Sequence, residues 1–174
     1  MFRILRRCAR TGLATLPLEP ARDADYELAG EKLRESIRRL RGGRSLYVRE
    51  VDAGSCNGCE IEISALTSPV YDAERFGVHV TASPRHADVL LVTGPVTRQM
   101  ELALKMTYEA APEPKIVVAC GDCALDGGAF AGSYAVAGAV EDVLPVDIRI
   151  KGCPPKPSAI LGALLAAVER AGKA

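Results

Sequence analysis

The chain has 174 residues, of which 48% are apolar and 25% charged, and its Lys+Arg and Asp+Glu counts balance at 22 each. That is enough for one domain with some appended structure and a core that needs no disulfide staples. The balanced charge excludes a global attraction to nucleic acid or to an anionic membrane.

The basic residues are nonetheless uneven. Arg3, Arg6, Arg7 and Arg10 open the chain with no acid among them, a local basic arm. No apolar run approaches the ~18 residues of a membrane span. The opening segment has no apolar core of signal-peptide length, and none follows Arg6-Arg7, so neither a secretion signal nor a twin-arginine signal is visible. The expected setting is the reducing cytosol, where six cysteines read as metal ligands or redox groups rather than staples.

In chain order, residues 1–44 read as an N-terminal arm and amphipathic helix, and residues 45–174 as an α/β domain. Phe2, Leu5 and Cys8 have near-helical spacing and are followed by a loop with Pro17 and Pro20. The arm is either a frayed terminus or a short docking element set against a partner subunit or a membrane surface. Cys8, remote from the other thiols, reads as a buried small residue of that element. From Tyr26 to Arg41 an apolar stripe of Leu28, Leu33, Ile37 and Leu40 predicts an amphipathic helix ended by Gly42-Gly43. Arg38, Arg39, Arg41 and Arg44 read as its solvated basic end.

Strands are predicted at Ser45 to Val51, Gly77 to Thr81, Asp88 to Thr93, Lys115 to Ala119 and Val146 to Ile150. The runs Val89-Leu90-Leu91-Val92 and Ile116-Val117-Val118-Ala119 are continuous and apolar, as in parallel strands covered on both faces. Helices are predicted at Glu60 to Leu66 with Ile61 and Ala65 inward, at Val96 to Ala111 with Met100, Leu104 and Tyr108 on one face, and at Ser158 to Arg170. This alternation predicts a doubly wound parallel sheet of about four or five strands.

Three of the strand ends carry cysteine loops: Gly54-Ser55-Cys56-Asn57-Gly58-Cys59, Gly121-Asp122-Cys123 and Gly152-Cys153-Pro154-Pro155. In a parallel sheet the carboxyl ends lie along one edge, where ligands collect. Cysteines far apart in sequence can therefore converge there. Four thiolates repel one another unless a cationic centre lies among them and donors lie outside. Gly54, Gly58, Gly121 and Gly152 are expected to supply backbone amides to the thiols, and Pro154-Pro155 to stiffen the last loop. Cys120 ends a strand run and is assigned to packing. Cys123 lies out on the loop and is assigned as ligand.

The occupants weighed are an iron-sulfur cluster, a zinc ion and a thioredoxin-like dithiol. Zinc favours two close Cys pairs with a shorter gap than separates Cys56/Cys59 from Cys120/Cys123. A dithiol at Cys56/Cys59 leaves Cys123 and Cys153 idle. An iron-sulfur cubane is the best reading.

Several segments in order, Ser-Cys-Asn-Gly-Cys-Glu-Ile-Glu-Ile from Ser55, Ser-Pro-Arg-His-Ala-Asp from Ser83, Thr-Gly-Pro-Val-Thr-Arg-Gln-Met from Thr93, Gly-Asp-Cys-Ala-Leu-Asp-Gly-Gly from Gly121 and Val-Asp-Ile-Arg-Ile-Lys-Gly-Cys-Pro-Pro from Val146, resemble one family. It is the small electron-transfer subunit shared by respiratory complex I, as its 20 kDa or B subunit, and nickel-iron hydrogenases. The resemblance implies a flavodoxin-like domain after an N-terminal helical extension, and one 4Fe-4S cluster held by Cys56, Cys59, Cys123 and Cys153. It also implies an oxidoreductase subunit that holds no nickel itself. Its partners would be a nickel-iron large subunit, a ferredoxin-like subunit and membrane subunits, at the cytoplasmic face of the inner membrane.

Complex I subunits usually present adjacent cysteines at the first motif, whereas Cys56-Asn57-Gly58-Cys59 is similar to the hydrogenase form. The chain also lacks the export signal and cluster-binding tail of periplasmic hydrogenase small subunits. It therefore resembles most the small subunits of membrane-bound group-four hydrogenases, the formate hydrogenlyase type. The alternatives are a complex I-type subunit donating to quinone and a zinc-stabilised binding module. No Gly-x-Gly-x-x-Gly or P-loop is present. His79 and His86 read as packing and turn residues, Asp122 and Asp126 as turn formers, and Glu60 as a favourable charge on the first turn of its helix.

Overall fold

The computed structural model describes residues 2–11 and 23–172, so the predicted loop with Pro17 and Pro20 lies outside the described residues, as does the side chain of Cys8. Among the described residues there are seven strands: β1 (Leu46–Asp52), β2 (Val78–Val80), β3 (Val89–Thr93), β4 (Val96–Thr97), β5 (Ile116–Cys120), β6 (Val136–Gly138) and β7 (Ile148–Ile150). The described α-helices are α1 (Phe2–Thr11), α2 (Ala24–Arg41), α3 (Gly58–Leu66), α4 (Glu101–Ala110), α5 (Asp122–Asp126) and α6 (Pro157–Ala171).

Five strands form one parallel sheet in the order β2-β1-β3-β5-β7. With the β4–β6 pair set aside, this is the flavodoxin-like order, whose switch point lies between the first strand and its inner neighbour. The continuous apolar runs predicted for β3 and β5 are buried at every position, because helices cover both faces. One core, built on Leu33, Phe76, Leu91, Ile160 and Leu164, lies under α2, α3 and α6. The other, built on Leu90, Val92, Val96 and Leu104, lies under α4.

Helix α2 begins where the Asp23 carboxylate accepts from the amides of Asp25 and Tyr26 and ends at a left-handed Gly42. It shares the first core with α6. Its inward stripe is Tyr26, Gly30, Leu33 and Ile37. Leu28, predicted inward, is exposed; the register is set by Gly30, which has no Cβ and lets the helix close on the Phe76 ring. The basic end is partly pinned, since the Arg41 guanidinium meets the Asp88 carboxylate at 2.5 Å and that carboxylate also accepts from the Tyr47 amide.

Two further predictions are corrected. The helix expected from Val96 begins only at Glu101. Val96 and Thr97 pair instead with Gly138 and Val136, and the Thr97 amide and hydroxyl both donate to the Ala53 carbonyl, so those residues are held extended beside the first cysteine loop. In α3 the inward residues are Ile63 and Leu66, while Ile61 is 62% exposed. Cys59, Ile63 and Leu66 recur at helical spacing, and seating Cys59 toward the core turns Ile61 outward.

Candidate metal centre

At the carboxyl edge of the sheet the strand ends lie in register, with Asp52 beside Thr93, Thr93 beside Cys120 and Cys120 beside Ile150. The loops after β1, β5 and β7 leave this row carrying Cys56/Cys59, Cys123 and Cys153. The first loop must cross the end of β3 to reach the other two. It crosses over Gly94, which has φ +72°; a Cβ there would fall 2.5 Å from the Ser55 amide nitrogen. The bare backbone of Gly94 is what admits the crossing.

The loops are then tied internally. The Asp52 carboxylate accepts from the amides of Gly54 and Ser55, each at 2.7 Å, and the Ser55 hydroxyl accepts from the Asn57 amide. Asn57 takes a left-handed conformation at φ 70° and launches α3, so that Cys59 enters the first helical turn. The second and third loops are joined to each other: the Asp122 carboxylate accepts from the Gly152 amide at 2.8 Å, and the Asp122 amide donates to the Gly152 carbonyl at 2.9 Å. Asp122, read from sequence as a turn former, thus bridges two loops. Asp126 does form a turn, accepting from the Gly128 amide.

These bonds correct the role expected of three of the four glycine amides. The amides of Gly54, Gly121 and Gly152 are given to Asp52, the Ile150 carbonyl and Asp122 and are not directed at thiols, because closing the turns consumes them. The glycines serve by having no side chain. A Cβ at Gly121 would lie 2.7 Å from the Cys59 Sγ, and one at Gly128 would lie 2.7 Å from the Cys123 Sγ. The Ala129 amide faces Cys123 and favours its thiolate.

The four predicted ligand thiols are brought to one edge. Cys59 lies within electrostatic reach of Cys123, Cys56 and Cys153, and Cys123 within reach of Cys153 and Cys56. Cys56 and Cys153 are exposed, and Cys59 and Cys123 are half-buried. Cys120 is fully buried at the end of β5 and in hydrogen-bonding contact with Cys59. Burial, with added repulsion from Glu60 and the neighbouring thiols, pushes the Cys59 thiol up to about 11. Burial also raises Cys120 strongly and Cys123 to a lesser degree. His79 lies beside the Tyr47 ring and His86 in the turn Pro84–His86, both away from this edge.

The sequence reading missed an acidic pair beneath the site. Glu50 and Glu60 line a cavity of about 190 Å³ with Ile63, Ser64, Thr67 and Val80. Both Glu60 carboxylate oxygens and one of Glu50 are buried without a hydrogen-bond partner among the described residues. Burial, and then the Glu60 charge, raise the Glu50 carboxyl above its ordinary value. Strand alternation held the signal, since Leu46, Val48 and Glu50 fall on the same inward face of β1.

The donor set fits a sulfur-ligated centre. Four soft thiols from three loops lie at one edge, with Gly121 leaving room for the Cys59 Sγ and Gly128 for the Cys123 Sγ, and thiolates of this kind hold iron-sulfur clusters. Among the described residues, no group of three or more His, Cys, Asp or Glu side chains is gathered to hold a metal ion as it stands.

Fold and edge together define a doubly wound α/β domain built to present thiols at its strand ends. The family model described as NADH ubiquinone oxidoreductase, 20 Kd subunit, matches residues 56–167, and the chain belongs to that family. Membership makes it part of an oxidoreductase. The chain is 51% identical to the probable membrane-bound hydrogenase subunit mbhJ of Pyrococcus furiosus, over 75% of this chain and 78% of that one. It is 53% identical to formate hydrogenlyase subunit 7 of Escherichia coli over 68% of this chain, spanning 46% of that subunit. With the B subunit of the NADH-quinone oxidoreductase of Geotalea uraniireducens the identity is 44%, over 66% of this chain and 67% of the other. Among solved structures, a chain of the membrane-bound sulfane sulfur reductase, an archaeal respiratory membrane complex, superposes with a TM-score of 0.66 at 35% identity, covering 82% of this chain and 77% of that one.

Proposed function

We propose that Cys56, Cys59, Cys123 and Cys153 hold one 4Fe-4S cluster, and that the chain relays single electrons between a nickel-iron large subunit and a ferredoxin-like subunit of a membrane-bound hydrogenase complex on the cytoplasmic face. The observation that carries this reading is the passage of the first cysteine loop over Gly94, which sets Cys56 and Cys59 beside the joined loops of Cys123 and Cys153. When bound, such a cluster supplies a one-electron acceptor and donor. The chain's own residues do the holding. Asp122 keeps two ligand loops in register, Asp52 closes the first, the Ala129 amide faces Cys123, and Gly121 leaves room for Cys59. Cys56 and Cys153 stand at the surface, where a partner subunit can close over the site.

The Cys56-x-x-Cys59 spacing and the identities near one half to the two hydrogenase-type subunits favour the hydrogenase branch. The second reading, a quinone-reducing relative, rests on the 44% identity to a NADH-quinone oxidoreductase component.

The test is metal analysis of the native complex, purified without oxygen through a tag on this chain. Iron with nickel is expected. Iron without nickel moves the reading to the quinone-reducing or another non-hydrogenase branch, and zinc alone overturns electron transfer. Cys→Ser variants at positions 56, 59, 123 and 153 should each abolish or alter the cluster's electron-paramagnetic signal, while Cys120→Ala should retain it. Retention with Cys123→Ser and loss with Cys120→Ala would reverse that assignment.

A further inference from the structure

Helix α1, among the described helices, divides its surface sharply between a basic and an apolar side. At about 100° per residue, Arg3, Arg6, Arg7 and Arg10 fall within an arc of about 100°, and Phe2, Ile4, Leu5 and Ala9 within the opposite arc of about 160°. The apolar side is not packed on the domain: Phe2 is 86% exposed, Ile4 69% and Leu5 57%. Among the described residues no ion pair engages any of the four arginines. A ten-residue helix is marginal alone in water, and four neighbouring guanidinium groups repel one another. Something must therefore cover one side and neutralise the other.

We infer that α1 is a membrane-surface anchor that lies in the interface of an anionic bilayer. A lipid surface answers both needs at once. Headgroup phosphates accept from the guanidinium groups, and the acyl boundary takes Phe2, Ile4 and Leu5. The helix is about 15 Å long, too short to cross a bilayer, so it lies in the plane. This places the basic arm against lipid rather than a partner subunit, and it does not rest on the cluster assignment, since none of the four proposed ligand cysteines is in α1.

The test is vesicle flotation of the full-length chain, cluster-loaded and cluster-free. The vesicles are phosphatidylcholine alone or phosphatidylcholine with roughly a one-third share of phosphatidylglycerol. Binding to the anionic vesicles only is expected, equal for both preparations, with each Arg→Gln at positions 3, 6, 7 and 10 weakening partition about fivefold. Leu5→Ser should weaken it with the charge unchanged. The inference is overturned if the chain does not float with anionic vesicles, if it binds neutral ones equally, or if a chain lacking residues 1–11 still binds. Protection of the arm from protease in a lipid-depleted complex would instead assign α1 to a partner subunit.

Discussion

Asp122 and Gly152 bond to each other twice, through the Asp122 carboxylate to the Gly152 amide and through the Asp122 amide to the Gly152 carbonyl. The two residues lie thirty positions apart, yet each adjoins a proposed ligand, Cys123 and Cys153. One of the two bonds is charge-assisted and depends on the side chain; the other is backbone only and should survive any substitution. Asp122→Ala therefore removes the fixed register of two loops and leaves the Gly152 amide unpaired, at a cost of about 1.5–3 kcal/mol. Asp122→Asn keeps an uncharged acceptor and should lose less. Urea unfolding of the reconstituted chain, followed at the visible absorbance of the proposed cluster, measures the difference. Equal midpoints for wild type and Asp122→Ala would show that the bridge does not support the site.

Tyr26 presents a buried hydroxyl with no partner among the described residues, beneath the edge-on rings of Tyr71 and Phe76. Its burial pushes the phenol up to about 12 from the ordinary 10. The folded state thus holds this proton more firmly than the unfolded chain does. This contribution is therefore fully present below pH 10 and is lost as pH rises toward 12. Tyr26→Phe removes an unsatisfied polar atom and should stabilise the chain by roughly 1 kcal/mol at neutral pH. It should also lose less stability than wild type between pH 10 and 12. Paired denaturation curves at neutral and alkaline pH isolate this effect from the thiols that titrate nearby.

Much of the fold was legible because two signals agree. The runs 89–92 and 116–119 are apolar without alternation, which happens when helices cover both faces, and each is followed by a glycine turn that points to the ligand edge. The meeting of the three cysteine loops at one edge was legible by the same logic, since parallel strands put their ends on one side. What escaped were choices made by packing rather than pattern. Ile61 and Ala65 have helical spacing, but so do Cys59, Ile63 and Leu66, and only the seating of Cys59 decides between the two faces. Val96 continues a helical pattern, yet its neighbour Thr97 is held extended by Ala53, a contact between residues forty-four positions apart. The Asp122 bridge has no local signature at all.

Glu50 illustrates a carboxylate on an inward strand position whose burial outweighs the help it receives from Thr93 and Arg49. Burial and the Glu60 charge raise its carboxyl, so the folded chain binds this proton more tightly than the unfolded one. Stability from this group is present at low pH, below the ordinary carboxylate value, and declines as pH rises through the raised one. Glu50→Gln should abolish the decline. The cluster-free variant is expected to be more stable than wild type at about pH 7.5 and equal to it near pH 4, as read by thermal unfolding at the two pH values. A variant less stable than wild type at the higher pH would mean that the Glu50 charge has a compensating partner in solution.

Gly121 connects the strand that ends in Cys120 to the helix that begins at Asp122, at φ +91°. Two independent constraints meet there. The left-handed conformation disfavours any side chain, and a Cβ would lie 2.7 Å from the Cys59 Sγ and 3.4 Å from the Gly152 carbonyl oxygen. Both neighbours belong to cysteine loops, so relief must come from moving a proposed ligand. Gly121→Ala should then cost about 1–3 kcal/mol in stability, the usual range for strained backbone. It should also impair cluster loading, whereas Gly132→Ala, at φ +76° with open space around it, should bear only the backbone cost. Iron per chain after anaerobic reconstitution separates the two variants. Full loading of Gly121→Ala would mean that Cys59 can shift without leaving the centre.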